Sequence, residues 1–206
     1  MSKPPVLFGC HTLWRLIGIR CDKVVGSQRD EKKRLPGLSF VFGGAASGKS
    51  AFAEQLVFQD GGTRGYVATA QVWDAEMEAK VARHKVMRGK GWLTVEEPLD
   101  IAAAFEKMND IDTVLVDCAT LWLTNQLLAE ADLDAVSNEF VAELATAPQR
   151  IIIVSNEVGQ GIVPDNAMSR TFREAQGRLN QKIAAEADLA VVVMAGLPMV
   201  LKGVLP

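Results

Sequence analysis

The chain has 206 residues, 49% of them hydrophobic, and a formal net charge of -3. That is enough apolar material for one substantial core, and the slight acidic balance excludes the global basic field that would hold a nucleic-acid backbone. Cys10, Cys21 and Cys118 are odd in number and lack C-x-x-C spacing, which suits the reduced thiols of a cytoplasmic protein better than a disulfide frame or a zinc site.

The apolar stretch from Val6 to Ile19 is interrupted by Gly9, His11 and Arg15 and is too short to span a bilayer. No membrane span and no secretory signal is expected. It leads into the charged run Ser27–Arg34 and the turn pair Pro36-Gly37, so residues 1–37 read as an N-terminal extension, poorly ordered and without assigned chemistry. The domain proper is expected over 38–206.

From Leu38 onward short apolar runs alternate with longer amphipathic ones. Strands are predicted at 38–42, 65–69, 113–117, 150–155 and 188–194, and helices at about 49–60, 74–88, 98–108, 119–145 with a break, and 167–187. The strand segments are apolar on successive residues, as strands covered on both faces are, and the intervening helices supply the crossovers a parallel sheet requires. The expected fold is a three-layer α/β arrangement of the P-loop NTPase type, with a mostly parallel sheet and flanking helices.

The first predicted strand runs into Gly43-Gly44-Ala45-Ala46-Ser47-Gly48-Lys49-Ser50, which has the G-x-x-x-x-G-K-[ST] spacing, and a predicted helix follows. In that setting the glycines let backbone N–H groups turn toward phosphate oxygens, Lys49 bridges phosphates, and the Ser50 hydroxyl is placed to ligate Mg²⁺. A nucleoside triphosphate is therefore the expected ligand. A P-loop reads phosphates rather than the base, so ATP and GTP both remain open as phosphoryl donor. Asp117 ends the strand Thr113–Val116 and reads equally as a Mg²⁺-associated carboxylate or as the N-cap of the helix beginning near Ala119.

The predicted helix 74–88 starts at Asp74, carries Glu76 and Glu78 in its first turn and gathers Arg83, Lys85 and Arg88 late, in the order the helix dipole favours. His84 stands among these cations, which attract phosphates and disfavour its protonation. A neutral imidazole there is a nucleophile, while a surface histidine complementing the dipole is the alternative. His11 is the only other histidine, so the domain has no paired histidines for a metal.

Taken together, several segments resemble the bifunctional adenosylcobinamide kinase / adenosylcobinamide-phosphate guanylyltransferase family of cobalamin biosynthesis, over nearly all of 38–203. They are the P-loop, Tyr66–Ala70, Arg83-His84-Lys85 with Trp92 and Glu96, Asp117–Asn125, Ser155–Pro164, Arg170–Arg173 and Gly177–Gln181. The resemblance implies ATP- or GTP-dependent phosphorylation of adenosylcobinamide, then transfer of GMP from GTP to the product through guanylylated His84, with Mg²⁺ assisting. It further implies nucleotide contacts from the P-loop, Ala68, Thr69, Ala70, Lys85, Val86, Met87, Arg88, Glu96 and Asp117, with Glu97 as an alternative to Glu96, and a homotrimer with sites between subunits. Residues 1–37 lie outside it. A P-loop kinase without guanylyltransferase activity, and a nonenzymatic nucleotide-binding module, are the competing readings. Trp14, Trp73, Trp92 and Trp122 are read as packing residues.

Overall fold

A computed structural model describes residues 34–71 and 90–206. The predicted helix 74–88 and the segment 1–33 lie outside the described residues. Seven strands form one sheet: β1 Leu38–Gly43, β2 Arg64–Ala68, β3 Trp92–Glu96, β4 Thr113–Asp117, β5 Arg150–Asn156, β6 Leu189–Met194 and β7 Leu197–Lys202. Their order is β3-β2-β4-β5-β1-β6-β7, parallel throughout except for the antiparallel β6–β7 pair.

The described helices are α1 Lys49–Asp60, α2 Ile101–Glu106, α3 Ala119–Leu128, α4 Leu133–Thr146 and α5 Ala167–Glu186. Strand residues alternate between two cores. Val41, Leu115, Ile152, Val154 and Val191 pack with Ala53, Leu56 and Val57 of α1. Phe40, Val67, Val114, Val116, Ile151 and Ile153 pack against Phe105, Leu123, Phe140 and Leu179 of α2 to α5. The three-layer expectation therefore holds. Leu35, ahead of the first strand, is already buried on the α1 side.

The caps explain where the later helices begin. Asp100 accepts from Ala103 N (3.0 Å) and so delays α2 to Ile101. Asp132 accepts from Asp134 N and Ala135 N, which starts α4 after the expected break. Asn166 accepts from Ser169 N (2.7 Å) to open α5.

Two strands were not predicted. β3 is an edge strand with exposed Leu93, Thr94 and Glu96, so it lacks the unbroken apolar run of a buried strand. β7 is exposed along its length and contains Pro198, which an edge strand tolerates. It is joined to β6 by Ala195 and Gly196, with φ of 51° and 79°. That two-residue turn has left-handed backbone at both positions, though its first residue is Ala rather than the usual Asn or Asp. Among the described residues no helix is long and apolar enough to cross a membrane.

Candidate nucleotide site

The P-loop leaves β1 at Gly43 and enters α1 at Lys49. A side chain at Gly43 would collide with the carbonyl oxygen of Val193 and with Ser47 Oγ, so only glycine lets the loop turn this close to β6. Gly48 is the N-cap of α1 at φ 94°, a left-handed conformation that favours glycine, and no side chain caps the helix. First-turn N–H groups are thereby left for an anion. Lys49 folds back so that Nζ donates to Gly44 O at 3.1 Å. From the other side Gly196 N donates to Ser47 O (2.9 Å), so the unpredicted β6–β7 turn braces the loop.

Register draws the other candidates to the same carboxyl edge. Ala68 is level with Glu96 on one side and with Asp117 on the other. Alternation puts all three on the α1 face, together with Gly43. Tyr66, two residues before Ala68 and on that same face, donates its hydroxyl to Asp117 Oδ2 at 2.9 Å. This contact was missed from sequence, although the period of two along β2 points to it.

The N-cap of α3 is Cys118, so the capping alternative for Asp117 does not hold and its carboxylate stays at the edge. The Cys118 thiol is pushed up to about 11 by burial and then by the Asp117 charge, with partial opposition from the N–H groups of Leu121 and Thr120 and the Lys49 ammonium. Both P-loop lysine and strand-end carboxylate thus act on one buried atom.

The turn after β3 gives Glu96 and Glu97 different surroundings. Glu97 Oε1 accepts from Leu99 N and Asp100 N, and Oε2 lies 3.9 Å from Lys107 Nζ. Glu97 is committed to the turn, and Glu96 is the carboxylate in the edge row. Thr69 is wholly buried: its hydroxyl both accepts from Cys118 N and donates to Cys118 O at 2.8 Å, and Asn125 Nδ2 donates to its carbonyl. It ties β2 to β4 rather than presenting a free hydroxyl.

Beyond β5 the chain passes beside the P-loop, where Glu157 N donates to Gly43 O at 3.0 Å. A buried polar cluster holds this exit. Asn180 Oδ1 accepts from Ser155 Oγ (2.7 Å) and Gln176 Nε2 (2.9 Å), Asn180 Nδ2 donates to Asn156 O, and Asn156 N donates to Thr120 Oγ1. Arg173 Nη2 donates to Gly159 O at 2.7 Å further along the loop.

Residues 39–201 match the family model described as cobinamide kinase / cobinamide phosphate guanyltransferase. The chain belongs to this family. The bifunctional adenosylcobalamin biosynthesis protein CobP of Pseudomonas aeruginosa is 43% identical over 166 residues, covering 79% of this chain and 96% of that protein. The CobU proteins of Salmonella typhimurium and Escherichia coli are 36% and 35% identical over 179 residues, each covering 79% of this chain and 98% of the relative.

For this family member, His84, Lys85, Val86, Met87 and Arg88 lie outside the described residues, on the connection between Gln71 and Lys90. The Mg²⁺ expectation rests on Ser50 and Asp117. They offer a hydroxyl and a carboxylate that accepts, among the described residues, from the Tyr66 hydroxyl alone, hard oxygen ligands of the kind Mg²⁺ takes. No cluster of three His, Cys, Asp or Glu side chains among the described residues forms a closed metal cage. The pair therefore fits an ion completed by phosphate and water.

Proposed function

We propose that this chain carries out both reactions of its family, with His84 as the covalent relay of the second. In the first, the aminopropanol hydroxyl of adenosylcobinamide attacks the γ-phosphorus of ATP or GTP. The bond from that phosphorus to the β-bridging oxygen breaks, the nucleoside diphosphate leaves, and the hydroxyl proton is lost to solvent. In the second, the neutral His84 imidazole attacks the α-phosphorus of GTP and pyrophosphate departs. An oxygen of the cobinamide phosphate then displaces the histidine, breaking the P–N bond, restoring the imidazole and giving adenosylcobinamide-GDP.

The observation that carries this reading is the carboxyl-edge row of Gly43, Asp117, Ala68 and Glu96 on the face of α1, in a chain matching the family from 39 to 201. Open α/β sheets bind ligands at that edge. The uncapped first turn of α1 and Lys49 receive the phosphates, and Ala68 to Ala70 with Glu96 line the approach for base and ribose. Mg²⁺ held by Ser50 and Asp117 would supply neutralisation of phosphate charge. Arg83, Lys85 and Arg88 flank His84 in sequence and favour its neutral, nucleophilic form. We further take the working protein to be a cytoplasmic homotrimer, which light scattering on the purified chain measures.

The test is incubation with GTP labelled at the α-phosphate. An acid-labile GMP adduct is expected on His84 and is expected to vanish in His84→Ala, while phosphorylation of cobinamide persists within about tenfold. Undiminished labelling of His84→Ala would remove the relay.

A further inference from the structure

Asn156 closes β5 at the one position between the P-loop strand and the Asp117 strand, and its role is not supplied by the fold. Its Cα is level with Gly43, the first residue of the P-loop. On its other side β5 pairs with β4, where Asp117 is level with Val154, two residues earlier on the same face. Ile152 and Val154 pack with the α1 core, whereas Ser155 bonds to Gln176 and Asn180 of α5. Alternation therefore puts the Asn156 side chain on the α1 face, with Lys49 and Asp117.

The backbone of Asn156 is held on both sides. Thr120 Oγ1 accepts from its N–H at 2.8 Å and Asn180 Nδ2 donates to its carbonyl at 3.1 Å. Thr120, Ser155, Gln176 and Asn180 are all buried, where the hydrogen bonds among them are stronger than in water and hold the backbone firmly. The next residue, Glu157, is fixed to Gly43 O. Four side chains and the P-loop itself thus set this backbone, yet the Asn156 carboxamide makes no hydrogen bond within the described residues. It is a pre-positioned pair of donors and an acceptor without a partner among the described residues.

The identity of the missing partner follows from the neighbours. A lysine at the Lys49 position of the motif reaches the β- and γ-phosphates, and an ion held at a strand-end carboxylate bridges the same two groups. Asn156 lies on the strand between them, so the terminal phosphoryl group is what meets its amide. A neutral amide can donate to phosphoryl oxygens without adding a charge that would have to be neutralised after transfer.

We propose that the Asn156 carboxamide hydrogen-bonds the γ-phosphoryl group of the bound triphosphate and aligns it for transfer, making Asn156 a catalytic residue of the kinase step and not of GMP transfer. This rests on the bifunctional reading above. The α-phosphorus attacked by His84 lies two phosphates away along the chain, so the two reactions depend differently on this contact.

The experiment compares wild type, Asn156→Ala and the near-isosteric Asn156→Asp in three measurements: steady-state phosphorylation of cobinamide, the rate of GMP labelling from α-labelled GTP, and triphosphate affinity by calorimetry. Loss of one preorganised donor is expected to lower kinase kcat about 10²-fold in Asn156→Ala, and further in Asn156→Asp, whose carboxylate repels the phosphoryl oxygens. In Asn156→Ala, triphosphate affinity and GMP labelling are expected to fall by no more than about tenfold, the worth of one hydrogen bond and well short of the kinase loss, and an unchanged circular dichroism spectrum reports an intact fold. Equal losses in both reactions would make Asn156 merely structural, and a kinase kcat within about threefold of wild type would overturn the contact. Wild-type protein that phosphorylates no cobinamide would remove the bifunctional reading, and this inference with it, a result seen before any variant is compared.

Discussion

The two ends of β4 meet carboxylates in opposite circumstances, Asp60 of α1 at the start and the strand's own Asp117 at the finish. At its start, Thr113 Oγ1 donates to Asp60 Oδ2 at 2.8 Å, Arg150 Nε donates to the same oxygen at 2.8 Å, and Leu35 N donates to Oδ1 at 2.9 Å. The Asp60 side chain has no exposed surface. At its finish, among the described residues, Asp117 receives a single side-chain donor, the Tyr66 hydroxyl, and the Asn156 amide on the adjoining strand has no partner. A buried carboxylate with three donors, one of them a cation, fastens α1, β4, β5 and the segment before β1 together. One that keeps open acceptor positions beside an uncapped helix start is arranged for a ligand that arrives and leaves.

The sharpest way to break this contrast is at the carboxyl edge. Lys49→Ala removes the cation from the P-loop, and kinase kcat is expected to fall by at least about 10²–10³-fold with the circular dichroism spectrum preserved. Turnover within about tenfold of wild type would show that the edge does not work as a phosphate site.

Substitution at the other end should do the reverse. Asp60→Ala leaves Arg150 without its partner and is expected to lower stability by about 3 kcal/mol in urea unfolding, while nucleotide affinity of the folded protein changes little. An activity loss without a stability loss would invert the assignment of the two ends. Burial by itself raises the Asp60 pKa, but the hydrogen bonds from Leu35, Thr113 and Arg150 and the Arg150 charge outweigh it, so the carboxyl titrates below its ordinary 3.8. The stability it adds is then complete above that value and is lost as pH falls through the lowered one. The difference between wild type and Asp60→Asn should accordingly shrink only in the acid range below about pH 4.

Legibility from sequence followed the same division. The P-loop was readable because its chemistry is local: a strand, a glycine spacing and a helix within 23 residues from Leu38 to Asp60. The consecutive apolar residues of β1, β4 and β5 likewise announced strands buried on both faces. What failed depended on pairings distant in the chain. β3 escaped notice because this edge strand lacks that apolar run, and β7, apolar from Leu197 to Leu201, because Pro198 breaks the strand pattern. The bracing of Ser47 by Gly196 and the alignment of Asn156 with Gly43 arise only once β5 and β6 flank β1. Glu96 and Glu97 were indistinguishable as neighbours until the turn at Leu99 and Asp100 took one of them. Tyr66 opens the family-like segment Tyr66–Ala70, yet its hydroxyl acquires a role only when β2 lies against β4.

Cys118 offers the smallest and most selective probe, since it follows Asp117 at the working end of β4 but is enclosed like the residues of the other end. Its side chain is buried, and burial together with the Asp117 charge holds the thiol up at about 11. The thiolate is the reactive form, so native protein treated with iodoacetamide at pH 8 should remain unmodified at Cys118 by peptide mapping until urea opens the core. Cys118→Ala should leave both reactions within about threefold of wild type, because the thiol touches the site only through its surroundings. Its titration nevertheless marks alkaline stability. In the unfolded chain this thiol ionises near 9.0, whereas the folded protein holds the proton to about 11. Between those values the unfolded state binds fewer protons, and stability falls as pH rises. The wild-type protein should therefore lose stability across that interval more steeply than Cys118→Ala, and equal slopes would mean that the carboxyl edge admits water to this atom and is open more deeply than its geometry indicates.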